Sequence, residues 1–212
     1  MKILPAINAK NFDDAKKQIE ILSSVTNEFH FDVAFSDFAE VDVWGNAREI
    51  DLFSEDILLH VHLMAHATPQ DMLQWQNPRV ASLAIHLEGS TLPDGLLRMA
   101  KKTKRKVFIV YPPKVDFSFL KKYIPHSDGV MVLGVMPGKS GQQMFPDTFS
   151  RIHSVKEVLQ KGQELIIDGG VNKGNFQEIK GCNPDMAVLG AALYSADDPI
   201  SAYHEFEKLA NE

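Results

Sequence analysis

The sequence predicts an α/β protein of the (β/α)8 TIM-barrel class with eight parallel strands, and three observations carry that prediction. Short apolar runs recur at intervals of roughly 20 to 30 residues, and an amphipathic stretch of helical length lies between most of them. The runs are nearly continuous in apolar and β-branched residues, as expected of parallel strands covered on their outer face by helices. Eight such units in 212 residues leave roughly 26 residues per unit, near the lean end of the barrel class. An open doubly wound sheet is the competing arrangement. Its usual marks, G-x-G-x-x-G or G-x-x-x-x-G-K-[ST] after an early strand, are missing. A single domain over 1–212 is therefore expected.

The strands are expected at 2–7, 28–35, 57–64, 82–87, 106–111, 129–136, 164–167 and 186–189. After the first, Phe12, Ala15, Ile19 and Leu22 recur at helical spacing behind Asn11 as a cap, with Asp13, Asp14, Lys16 and Lys17 on the wet side. In the second unit 38–46 reads as loop and 47–55 as helix. Phe149, Ile152, Val155 and Leu159 form a later apolar stripe behind Pro146 and Asp147, and Tyr203, Phe206 and Ala210 mark a last helix. The basic run at 101–106 closes a helix, where cations complement the dipole.

A chain that is 44% hydrophobic and 24% charged is neither disordered nor a pure coiled coil. Its net charge of -6 argues against a broad surface for nucleic acid or an anionic membrane, so any anionic ligand must be held locally. The one cysteine, Cys182, cannot form an intrachain disulfide, and C-x-x-C is absent, which fits a reducing cytosol. Pro5 and Asn8 interrupt the apolar N-terminus too early for a signal-peptide core, and no apolar stretch reaches the ~18 residues of a membrane span. A cytoplasmic location is expected.

In such a barrel the chemistry lies where strands run into their following loops. His30 and Asp32 are two apart on strand two and so share a face, as do His60 and His62 on strand three and His86 and Glu88 on strand four; strand seven ends in Asp168. Imidazoles and carboxylates converging at one mouth suit one divalent metal ion, with zinc, iron, manganese or cobalt fitting these donors. Inward polar residues without partners are costly, which singles out His30, Asp32, His62 and Asp168. His60 is expected a layer deeper as a structural hydrogen-bonder, and Glu88 beside a ligand it orients. Met64 and Met136 fall next to the site as shields. Glycine-rich turns follow strands six to eight: Gly138, Gly141 and Gln142; Gly169 and Gly170; and Gly190 with Ala191. Unobstructed backbone N–H groups there hold a phosphate with few cations.

These residues resemble the ribulose-phosphate 3-epimerase family over nearly the whole chain. Its Pro-Ser-Ile-Leu opening is matched by Pro5-Ala6-Ile7-Asn8, its H-x-D-V-M-D-G by His30-Phe31-Asp32-Val33-Ala34-Phe35-Ser36, and its D-V-H-L-M by His60-Val61-His62-Leu63-Met64. The N-P-G-x-x-G-Q loop is matched by Met136-Pro137-Gly138-Lys139-Ser140-Gly141-Gln142, and D-G-G-V-N stands intact at 168–172. The resemblance implies a metal held by His30, Asp32, His62 and Asp168, with Asp32 and Asp168 also exchanging the C3 protons of ribulose 5-phosphate and xylulose 5-phosphate. It also implies a homo-oligomer.

The departures are Ala6, Ala34, Phe35 and Ser36 at conserved motif positions of that family, His60 in place of aspartate, and Lys139-Ser140 in the lid loop, where Lys139 offers a cation to an anionic ligand. They leave the inferred metal shell intact and alter its surroundings. A ketohexose 6-phosphate 3-epimerase and a non-catalytic sugar-phosphate binder are the alternatives. The D-x-K-x-x-D motif of orotidine-monophosphate decarboxylase and hexulose-phosphate synthase is approached by Asp32 to Asp37, but its lysine is Ala34.

Overall fold

A computed structural model of the protein, which describes residues 1–54 and 56–212, shows a closed barrel. Its strands are β1 (Lys2–Ile7), β2 (Glu28–Ala34), β3 (Leu58–Met64), β4 (Val80–Ile85), β5 (Lys106–Tyr111), β6 (Gly129–Leu133), β7 (Glu164–Asp168) and β8 (Met186–Leu189). Each strand runs parallel to the next, and β8 closes on β1. The helices are α1 (Phe12–Leu22), α2 (Pro93–Lys102), α3 (Phe117–Lys121), α4 (Thr148–Lys156), α5 (Phe176–Gly181), α6 (Ala191–Tyr194) and α7 (Pro199–Asn211).

Local chemistry accounts for the helix starts. Asn11 Oδ1 accepts from the Asp14 N–H at 2.9 Å and caps α1, while Asp116 and Asp198 cap α3 and α7 in the same way. The basic run does close a helix: α2 ends at Lys102, and Lys101 Nζ pairs with Asp128 at 2.6 Å.

Strand parity divides the core into two compartments. Residues such as Leu4, Phe108, Val110, Met131, Ile166 and Val188 fill the barrel interior, and their neighbours of opposite parity, among them Phe31, Val61, Ile109 and Ile167, pack under the helices. Buried inward polar residues stand on β2 (His30, Asp32), β3 (His60, His62), β4 (Ser82) and at the end of β7 (Asp168). The site is built there.

Three sequence expectations need correction: the strand expected at 82–87 is Val80–Ile85, so His86 and Glu88 lie beyond it, Glu88 in the 3-10 turn Leu87–Gly89. Residues 47–54 form no α-helix; only Ile50–Leu52 makes a short 3-10 turn, and Glu55 lies outside the described residues. The cause is the loop before it. An antiparallel bridge between Ala34 and Val43, followed by a bond from the Trp44 N–H to the Ala9 carbonyl at 2.8 Å, pins 35–44 across the barrel mouth. The chain beyond it closes as successive tight turns, the N–H groups of Glu49, Leu52 and Phe53 each bonding the carbonyl three residues back. The strand expected at 129–136 stops at Leu133; Gly134 still bonds the Asp168 carbonyl at 2.6 Å, and a Cβ there would lie 2.5 Å from the Gly169 carbonyl oxygen. The chain then leaves the sheet as a loop.

At the amino-terminal floor of the barrel, His60 takes its expected structural place. Its Nδ1 is 2.8 Å from Ser82 Oγ and its Nε2 3.0 Å from Glu28 Oε2, while Lys2 pairs with the same carboxylate. The hydrogen bond from His60, opposed by burial and helped by Lys2, lowers the Glu28 carboxyl to about 2. A folded-state value below the ordinary one contributes stability above pH about 4.5, and that stability is lost as pH falls toward 2. Glu28→Gln is accordingly expected to cost on the order of 2 kcal/mol at pH 7. Urea unfolding of both proteins should show this gap closing between about pH 5 and 2; a gap independent of pH would assign the effect to packing.

Candidate active site

The register of the sheet assembles the site. His30 stands level with Ala6 and His60, and Asp32 level with His62, so the two strands offer an imidazole and a carboxylate at successive depths. Asp168 enters from the last position of β7. His62 Nδ1 lies 3.1 Å from Asp32 Oδ1 and 3.4 Å from Asp168 Oδ2; His30 Nε2 lies 3.3 and 3.7 Å from the same two atoms. One donor atom from each of the four falls within 4.8 Å of all the others.

The donors fit a divalent cation. Both ring nitrogens of His30 are buried and without a hydrogen-bond partner among the described residues, an arrangement that costs free energy unless Nε2 serves as a ligand. Two carboxylates and two imidazoles at such spacing are an oxygen and nitrogen donor set of the kind that holds zinc, iron, manganese or cobalt. Burial resists charge on His62, but Asp168 and Asp32 outweigh it and raise the imidazole to about 9. Burial likewise disfavours the Asp32 carboxylate, yet the imidazoles of His30 and His62 hold it well below the ordinary range.

Above the cluster opens a cavity of about 210 Å³ whose walls include Asp32, His62, Met64, Met136, Asp168 and the turns at 138–142, 169–172 and 190–192. The structure thus brings Gly138, Gly141, Gln142, Gly169, Gly170, Gly190 and Ala191 together at one mouth. Gly170 is required by shape: its φ is +76°, and a Cβ there would lie 2.6 Å from the Met144 backbone nitrogen. Gln142 Nε2 donates to the Met136 and Lys139 carbonyls at 2.7 and 2.8 Å, so its amide protons brace the loop from within.

Two supporting residues behave differently from expectation. Lys139 is no free cation; its Nζ pairs with Glu40 Oε2 at 2.5 Å, joining the loop after β6 to the loop after β2. Glu88 reaches His86, not the four-residue cluster: its Oε1 is 2.6 Å from His86 Nδ1, and His86 Nε2 is 2.9 Å from His62 Nε2. Of the departures, Phe35 and Ser36 line a separate hollow with Asp37 and His66, away from the cavity. Ala6 does line the cavity, and so does Asn8 two residues on. Asn8 is one of the wall residues that sequence reasoning passed over. The period of two from Ala6 was the signal, and Gln18 fixes its position by bonding both its backbone N–H and carbonyl at 3.1 and 3.2 Å.

A closed eight-stranded parallel barrel with acid and base groups and glycine turns at its carboxyl-terminal mouth defines an enzyme of the TIM-barrel class. Residues 2–194 match the profile of the Ribulose-phosphate 3 epimerase family, and the chain belongs to that family of isomerases. A ribulose-phosphate 3-epimerase of Mycobacterium bovis is 28% identical over 150 residues, an alignment covering 69% of this chain and 66% of that protein. One from Mycobacterium leprae is 24% identical over 204 residues, covering 94% of this chain and 91% of that protein. The crystal structure of 3-hexulose-6-phosphate synthase from Salmonella typhimurium superposes with a TM-score of 0.75 at 13% identity, covering 100% of this chain and 99% of that one, and shares the fold. Among the described residues no helix is long and apolar enough to cross a membrane.

Proposed function

We propose that this chain is a metal-dependent sugar-phosphate 3-epimerase interconverting D-ribulose 5-phosphate and D-xylulose 5-phosphate, with residues 1–212 working as one barrel domain. The observation that carries the proposal is the pair Asp32 and Asp168, held by two shared imidazoles at the base of a cavity whose rim is glycine-rich backbone. A divalent ion held by His30, Asp32, His62 and Asp168 would supply Lewis-acid stabilisation of the negative charge that develops on the ketose oxygens.

The rest is the work of the chain itself. The backbone around Gly138, Gly141, Gly169, Gly170, Gly190 and Ala191 holds the phosphate, in keeping with a chain of net charge -6 that offers no cluster of cations there. Asp32 and Asp168 enter from β2 and β7, on different sides of the barrel axis. One carboxylate accepts the C3 proton from one face of the sugar, and the other carboxyl delivers a proton to the opposite face, so that no net proton is consumed. Asp32 is suited to begin as the anion because its imidazole neighbours favour that form. Met64 and Met136 on the wall keep water from the reacting carbon.

The test is incubation of the protein, loaded in turn with zinc, iron, manganese and cobalt, with each pentulose 5-phosphate in deuterated water. One deuterium at C3 and formation of the other epimer are expected. Exchange confined to a ketohexose 6-phosphate would move the substrate to that class. Binding of either sugar phosphate with no exchange under any metal would make the chain a binding protein and overturn the proposal.

A further inference from the structure

We propose that His86 and Glu88 are positioning residues that fix the proton on His62 at Nε2 and thereby aim its Nδ1, as a free donor, at the cation. The inference rests on the metal site proposed above and adds two residues that no step of the reaction uses. Three contacts carry it: Glu88 Oε1 to His86 Nδ1 at 2.6 Å, His86 Nε2 to His62 Nε2 at 2.9 Å, and His62 Nδ1 to the two aspartates at 3.1 and 3.4 Å.

The direction of each hydrogen bond follows from the one before. Two imidazole nitrogens facing each other at 2.9 Å need one donor and one acceptor. If His62 ligates through Nδ1, that atom carries no proton, so the neutral ring carries its proton on Nε2 and donates it. His86 Nε2 must then accept. Its own proton lies on Nδ1, where the Glu88 carboxylate accepts it at 2.6 Å. The reverse order would place a proton on His62 Nδ1, between the carboxylates, where it competes with a cation. An anion at the far end also makes His86 a stronger acceptor, which increases the basicity of His62 as a ligand.

The packing permits little else. The His86 side chain is fully buried, its ring stacks on His62 with centroids 5.2 Å apart and planes 16° apart, and Phe38 closes its other side edge-on at 4.9 Å. A buried histidine held by an aromatic edge and aligned by a carboxylate keeps one ring orientation. The sequence spacing serves this directly: His86 follows the last residue of β4, and the 3-10 turn Leu87–Gly89 curls Glu88 back beneath it.

Cobalt affinity measured by competition with a chromogenic chelator, with ligand-field absorption reporting the geometry, tests the proposal without reference to turnover. Glu88→Gln should weaken cobalt binding about 10-fold and His86→Phe by up to about 100-fold, the range found for partners of metal-bound histidines. Phe preserves the stacked ring and removes the acceptor; His86→Gln restores an acceptor and should recover part of the loss. Parent-like affinity in both Glu88→Gln and His86→Phe would overturn this inference alone. Failure of the parent to bind cobalt, zinc, iron or manganese would overturn the metal site and this inference with it. Long-range 1H–15N NMR of the zinc-loaded parent needs no variant at all. His86 protonated at Nδ1 and His62 at Nε2 is the expected pattern, and His86 protonated at Nε2 would refute the relay.

Discussion

Asp32→Asn and Asp168→Asn are each expected to lower epimerisation by roughly 10³-fold, within the range lost when a general acid or base is removed. The more telling result is their asymmetry. With two bases serving opposite faces, a variant lacking one can still remove a proton with the other and return it to the same face. Each variant should therefore incorporate deuterium into one pentulose phosphate without converting it, and the two variants should select opposite epimers. Asparagine leaves an oxygen donor at either position, so much of the cation-binding shell is retained. Incubation of both epimers with both variants in deuterated water gives the four measurements required. Label entering the same epimer with either variant, or undiminished interconversion, would sink the assignment of the two carboxylates. His62, which lies within 3.4 Å of both, serves as the control: His62→Ala should impair the two directions alike.

Much of this site was legible because it obeys a period of two. His30 with Asp32 and His60 with His62 are inward pairs on neighbouring strands, and the apolar runs around them fix that parity beyond ambiguity. The depth of His60 followed from position alone, since it precedes His62 by one layer. What parity cannot supply is contact between side chains from different strands. The approach of His86 to His62 depends on β4 being sheared against β3 by the irregularity at Leu59 and His60, which no single strand records. The salt bridge from Lys139 to Glu40 depends on two loops leaning over one mouth. The missing second helix has a similar origin: 47–54 has an acceptable apolar pattern, and the tertiary bridge at Val43 overrides it. A local apolar pattern does not by itself decide an element.

Arg151→Met is expected to cost more stability than a typical substitution outside the site. Arg151 comes from α4, and its side chain is only 6% exposed. Nη1 donates to the carbonyls of Tyr111 at 3.1 Å and Leu133 at 2.9 Å, and Nη2 donates to Thr148 Oγ1 at 3.1 Å. Those carbonyls end β5 and β6. The Tyr111 ring lies 5.4 Å from the guanidinium, and Asp147 Oδ2 stands 3.4 Å from Nε at the surface. Methionine fills most of the volume but removes the guanidinium's hydrogen bonds to two strand-end carbonyls, at about 1 to 3 kcal/mol where a buried group is left unpaired. A loss of roughly 3 kcal/mol follows, or a fall in Tm of about 6 to 12 °C for a chain of this size. The consequence extends to function because the loop carrying Gly138 and Gly141 departs immediately after Leu133. Loosening that anchor should raise KM for the sugar phosphate while kcat changes little, since neither aspartate moves. Thermal unfolding together with KM and kcat checks both halves, and Arg151→Lys, which keeps one donor, should fall between. A Met variant with parental Tm would mean that water satisfies those carbonyls, and the anchor would then lie in Gln142 and the bond from the Phe145 N–H to the Gly134 carbonyl at 2.8 Å.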